Sequence, residues 1–227
     1  MKLTNKSIYI LVTVLISSLL MSFIDGVIQP TYFYKSLFKI CLFMIVPFIY
    51  FIIYKDEFSK FKQLFIPKKK TLFLSIGLGI AVYIVIIVAY MLFKNFIDFS
   101  AIQKSLTSNV GVNADNFLFV AIYISFMNSL LEEFFFRGYA FILLKQKTNT
   151  TLAYIFSAGL FAFYHVGMTT GWFNGFIYVL AMLGLFIGGC IFNYLNDTFD
   201  TIYPSWLVHM FANFAINTIG CILFGII

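Results

Sequence analysis

The stretch that decides the fold runs from residue 117 to residue 144 and reads FLFVAIYISFMNSLLEEFFFRGYAFILL. About 20 apolar residues in a helix cross the hydrocarbon layer of a bilayer, so this segment is long enough to span one. It also carries Glu132, Glu133 and Arg137 near its middle, where lipid penalises charge. Working outward, comparable apolar runs fall at about 7–28, 36–54, 71–93, 151–168, 174–194 and 205–226. The expected fold is all-α: a polytopic membrane helical bundle of about seven transmembrane helices, forming a single membrane domain over 1–227. An eighth span or a re-entrant piece near 96–116 would change that number.

Composition agrees. The chain has 227 residues, of which 62% are apolar and 11% charged, with a mean hydropathy of +0.96. A soluble domain cannot hide that much apolar surface, so the lipid bilayer is the expected surrounding of most of it. The net charge of +6 is explained by lysines at the inner membrane face rather than by an acidic partner. Nucleic acid is excluded as a partner, because basic residues are not interleaved with exposed aromatics and no binding motif occurs. Cys41, Cys190 and Cys221 sit in apolar runs without metal-ligand spacing and read as reduced packing residues.

Lysine placement sets the expected orientation. The segment from Lys55 to Lys70 holds six lysines, with Pro67 followed by Lys68, Lys69 and Lys70 at a turn. Lys2, Lys6, Lys145 and Lys147 fall on the same side, so ten of the fifteen basic residues face the cytosol. The N-terminus is then inside and the first span an uncleaved anchor. Gly184-x-x-x-Gly188 in the sixth span predicts internal helix packing. The polar segment 94–116 reads as a connecting loop.

Each charged group at membrane depth needs a partner or a task. The candidates are Glu132, Glu133 and Arg137 in the fourth span, His165 in the fifth, and His209 and Asn213 in the seventh. At about 100° per residue, Glu133 and Arg137 share a face as an ion pair, which leaves Glu132 without a sequence-local partner. His209 and Asn213 also share a face. A buried carboxylate beside an imidazole can deprotonate a water for attack on a peptide carbonyl, while an imidazole and an amide donate to the developing oxyanion. Ser125, Ser129 and Ser157 are weaker alternatives as nucleophiles.

In these residues the chain resembles the CAAX-protease and bacteriocin-processing (Abi) family of intramembrane peptidases. The three motifs are Glu132-Glu133-x-x-x-Arg137, Phe161-x-x-x-His165 and His209-x-x-x-Asn213, in order on successive helices. The resemblance covers about 115–226 as a catalytic core, whereas the helices of 1–95 match nothing specific. It implies an endopeptidase acting on a peptide or membrane-protein substrate. Glu132 and His165 would activate water, His209 and Asn213 would form the oxyanion site, and Glu133 and Arg137 would support them. No cofactor is required in this reading. Some descriptions of the family assign zinc instead, for which Glu132, His165 and His209 are the candidate ligands. The resemblance and composition also suggest a multi-pass protein of a bacterial cell membrane. A non-catalytic bacteriocin-immunity or scaffold protein and a proton-coupled transporter are the competing functions. The oligomeric state is not legible.

Overall fold

A computed structural model describes residues 3–227, apart from the side chains of Lys60, Phe61 and Lys70. Lys2, one of the residues in the orientation count, lies outside the described residues, as does the side chain of Lys70. Besides a single 3-10 turn at Lys55–Glu57, nine helical segments occur among the described residues: α1 (Asn5–Ile28), α2 (Tyr32–Ile53), α3 (Phe58–Leu64), α4 (Lys69–Phe93), α5 (Ser100–Ser108), α6 (Phe117–Leu143), α7 (Thr150–Thr169), α8 (Gly175–Phe199) and α9 (Tyr203–Leu223). All but α3 and α5 are long and apolar enough to cross a membrane, and they coincide with the seven expected spans to within a few residues.

Local sequence sets the ends. Thr4 and Ser7 form a reciprocal cap on α1, Thr4 Oγ1 accepting from Ser7 N and Ser7 Oγ from Thr4 N. Asn149 and Asn174 accept from the backbone at the starts of α7 and α8. The first turn of α9 carries Pro204, where a missing N–H costs nothing.

The helix α6 runs through the middle, packed by α1, α2, α7, α8 and α9. Aromatic rings fill the space around it: Phe43 of α2 stacks on Phe135 at 4.2 Å, and Phe136 stacks on Tyr164 of α7 at 5.3 Å. The helix is not a regular α-helix. It winds as a π-helix over Ile124–Asn128 and again over Glu133–Leu143. Such wider winding is rare and concentrates at functional sites. Its carbonyls are partly taken up by side chains, Ser157 Oγ donating to the Phe136 carbonyl at 2.7 Å.

Two packing expectations are corrected. Gly184 and Gly188 do not pack internally; a Cβ at either would meet nothing within 4 Å. The close approach of α8 to α7 uses Gly189 instead, whose Cβ position lies 3.1 Å from Ala158. Glycine spacing shows which face permits close approach, but the packing of the bundle decides which face is used. The segment 94–116, expected as a plain loop, contains α5 and is docked on the bundle. The Val110 carbonyl accepts from Tyr32 N at 3.0 Å, and Val112 packs in a cluster with Phe117 and Ala121.

At the lysine-rich end, Glu57 joins three pieces of chain. It accepts from Lys6 of α1 at 3.0 Å and from Lys147, beyond α6, at 2.8 Å. Asp56 also binds Lys6, which holds the Asp56 carboxyl below the ordinary carboxylate range.

Candidate active site

Glu132 and Glu133 occupy the centre of α6, 2% and 0% exposed. Their two carboxylates point to different partners, as adjacent positions on a helix require. Glu133 Oε1 is bonded by His209 Nδ1 at 2.9 Å, and its Oε2 lies 3.4 Å from Arg137 Nε. That Arg137 contact is an ion pair rather than a well-directed hydrogen bond, since neither atom has a hydrogen-bond partner among the described residues. The guanidinium is fully buried and lies 4.1 Å from the centre of the Phe161 ring and 5.0 Å from that of Phe192. A desolvated cation over an aromatic face contributes on the order of 2 kcal/mol.

The surroundings of Glu132 differ from the expectation. Asn128, one turn earlier, donates Nδ2 to Oε1 at 2.6 Å, so a sequence-local partner does exist. A second partner comes from a distant helix, Lys39 of α2, whose Nζ lies 2.8 Å from the same oxygen and 2.8 Å from Asn128 Oδ1. Lys39 is 5% exposed and sits above the Tyr164 ring. Sequence reasoning missed both residues. Lys39 lies near the start of its span, where a lysine ordinarily snorkels to the interface. The usable signal was its four-residue spacing from Lys35, itself 3.0 Å from the buried Asp25 of α1. Two lysines on one helix face opposite a buried aspartate mark a face turned inward.

Glu132 Oε2 remains. It is buried, has no hydrogen-bond partner among the described residues, and faces His209 Nε2 at 3.9 Å. Glu133 Oε1 accepts the hydrogen bond of His209 Nδ1–H, so Nε2 is the ring nitrogen aimed at Glu132. His209 also stacks on Phe192, with ring centres 5.3 Å apart. Each of these contacts limits rotation of the imidazole.

His165 extends from α7 toward the same region. Its Nδ1 lies 2.7 Å from the Phe161 carbonyl, so a neutral ring carries its proton there and presents Nε2 as the acceptor. Among the described residues no direct hydrogen bond joins it to Glu132. Phe161 therefore serves twice: its carbonyl orients His165 and its ring covers Arg137. Asn213 is buried one turn beyond His209 and donates Nδ2 to the Ile124 carbonyl at 3.3 Å, in the first π-helical segment. The structure thus gathers Glu132, Glu133, Arg137 and His209 by direct contact. Asn213 lies one turn further along α9, and His165 comes from the neighbouring helix α7.

The serines are engaged with backbone or amides. Ser129 donates to the Ser125 carbonyl, Ser157 to the Phe136 carbonyl, and Ser125 accepts from Asn217. As for a metal, no group of three His, Cys, Asp or Glu among the described residues comes together as a ligand set. One oxygen of Glu132 is occupied by an ammonium, which competes with a dication. Glu132, His165 and His209 in this arrangement do not fit a zinc site.

Residues 114–215 match the family model described as type II CAAX prenyl endopeptidase, Rce1-like, a segment that contains all three motifs. No curated protein and no solved structure matched the chain.

Proposed function

We propose, from the match of residues 114–215 to the family model of Rce1-like type II CAAX prenyl endopeptidases, that this multi-pass membrane protein hydrolyses a peptide bond within the membrane, using a water activated by Glu132 and His165. The observation that carries the reading is the asymmetry of the Glu132 carboxylate. One oxygen is fully engaged by Lys39 and Asn128, and the other is buried, unbonded and directed at an imidazole nitrogen.

Glu132 Oε2 accepts the proton of the water, with His165 Nε2 as the second acceptor in reach of the same region. The oxygen of that water attacks the scissile carbonyl carbon, and the proton passes to the leaving amine. His209 and Asn213 supply hydrogen bonds to the oxyanion, His209 from the Nε2 side of its ring. The Glu133 carboxylate at Nδ1 holds the ring in that orientation. Arg137 balances Glu133 and holds no position toward substrate. Engagement of Ser125, Ser129 and Ser157 elsewhere supports water as the attacking group. This reaction uses no metal.

A groove of about 390 Å³ runs between the start of α6 and the later turns of α9, with none of Glu132, His165, His209 or Asn213 in its lining. It is lined by Tyr83, Leu118, Ser125, Phe214, Asn217 and Thr218, and Asn217 lies one turn from Asn213. The substrate class is a peptide or membrane-tethered protein. Lysine placement supports a cytosolic N-terminus, and the resemblance supports a bacterial cell membrane as the location.

The test is mass spectrometry of candidate peptides, with and without a carboxyl-terminal prenylated cysteine motif, incubated with purified protein. Wild-type protein should cleave and Glu132→Ala should not, with unfolding midpoints in detergent showing that both are folded. Cleavage should survive a chelator. Equal cleavage by Glu132→Ala ends the peptidase assignment. Proton-driven solute flux in vesicles without cleavage would support a transporter, and bacteriocin protection that survives Glu132 and His165 replacement would support an immunity or scaffold role.

A further inference from the structure

We infer that Lys39 is a positioning residue of this active site, supplied by a helix outside the matched segment. With Asn128 it forms a clamp on one oxygen of Glu132, so that only Oε2 can act on water. The inference rests on the peptidase reading above.

A carboxylate has two equivalent oxygens and rotates about its last bond; in an unrestrained site either could take the proton, and the group could drift from the substrate. In this site Oε1 accepts two donors, Lys39 Nζ at 2.8 Å and Asn128 Nδ2 at 2.6 Å. Lys39 also donates to Asn128 Oδ1 at 2.8 Å, closing a triangle of three side chains. Each member therefore fixes the other two. Charge-assisted bonds of this kind are the short and strong ones, and at 5% and 2% exposure water does not compete for them. The direction of Lys39 is set from outside the triangle. Its ammonium lies 5.0 Å from the centre of the Tyr164 ring and 5.8 Å from that of Phe43. One turn earlier, Lys35 is held at 3.0 Å from Asp25, which orients the whole inward face of α2.

The charges balance across the set. Asp25, Glu132 and Glu133 face Lys35, Lys39 and Arg137, so removing any one member leaves a buried charge uncompensated. The N-terminal helices are thereby part of the catalytic unit rather than a separate anchor. The matched segment alone holds the base but lacks the cation that aims it.

Two measurements test this. In the first, unfolding midpoints in detergent are compared for wild type, Lys39→Met, Glu132→Gln and the double variant. The double variant should be more stable than the sum of the single losses predicts, which identifies the two side chains as direct partners whatever the activity. Additive losses overturn the inference. In the second, peptide cleavage is measured for wild type, Lys39→Met and Lys39→Arg. Loss of aim should lower kcat by about 10- to 100-fold with KM nearly unchanged, and Lys39→Arg should restore part of it. An unchanged kcat, a rise confined to KM, or an arginine variant no better than methionine overturns the inference while the peptidase reading stands. Coupled midpoints with no cleavage by the wild type overturn both, and that pattern places the failure in the peptidase reading.

Discussion

Gly167 of α7 crosses α1 so closely that a Cβ there would lie 2.0 Å from the Ser22 carbonyl oxygen, 2.8 Å from its carbon and 3.0 Å from Gly26 N. These are backbone atoms, which no rotamer change can move. Gly167→Ala must push the two helices apart by about 1 Å, and overpacking of this sort costs roughly 1–3 kcal/mol. His165 sits two residues away on the same helix, so the shift reaches its ring directly. A misplacement of about 1 Å at a reacting group can cost on the order of 100-fold in rate. Peptide cleavage by Gly167→Ala should therefore fall by about 10- to 100-fold, and the unfolding midpoint in detergent by roughly 2–12 °C. Gly184→Ala is the matched control, because its Cβ would meet nothing within 4 Å. It should keep full activity and gain up to about 1 kcal/mol from helix propensity. A Gly167→Ala protein with wild-type rate and midpoint refutes the reasoning, as does equal damage from Gly184→Ala.

Glu133→Gln should lower stability by about 3–5 kcal/mol, because it leaves the Arg137 charge buried without a counterion; adding Arg137→Met should recover part of that loss in chemical or thermal unfolding. Glu57→Gln should weaken the junction of α1, the segment after α2 and the end of α6 by about 1–3 kcal/mol, since Lys6 and Lys147 share its carboxylate. It should leave the rate of the folded protein unchanged in the same cleavage assay. Lys6 holds the Asp56 carboxyl low, so this contribution is present above the unfolded carboxylate value of about 3.9 and fades as pH falls through the lower folded one. Midpoints followed from about pH 6 to pH 3 should lose that acid-side dependence in Asp56→Asn.

Much of the architecture was legible because apolar run length translates directly into membrane-spanning helices, independently of how those helices pack. The same logic exposed Glu132, Glu133, Arg137, His165, His209 and Asn213: polar groups inside apolar runs stand out without any knowledge of neighbours. Glu133 with Arg137 was also readable, since a four-residue spacing keeps them close even in the wider π winding. Sequence alone did not give the winding itself, because an α- and a π-turn differ in hydrogen-bond register rather than in composition. Nor did it give the partners of Glu132. Asn128 stands four residues before Glu132, a spacing that puts the two on one helix face, but an uncharged amide does not stand out in an apolar run, and Lys39 lies 93 residues from Glu132 in the chain. Whether a lysine near a helix end snorkels outward or turns inward depends on which helix stands beside it. Likewise Gly184 and Gly188 announced a face capable of close packing, while the placement of α8 gave that role to Gly189. Hydrophobicity is a property of each segment and can be read one segment at a time; the pairing of buried charges is a property of neighbours, and only the folded bundle assigns those.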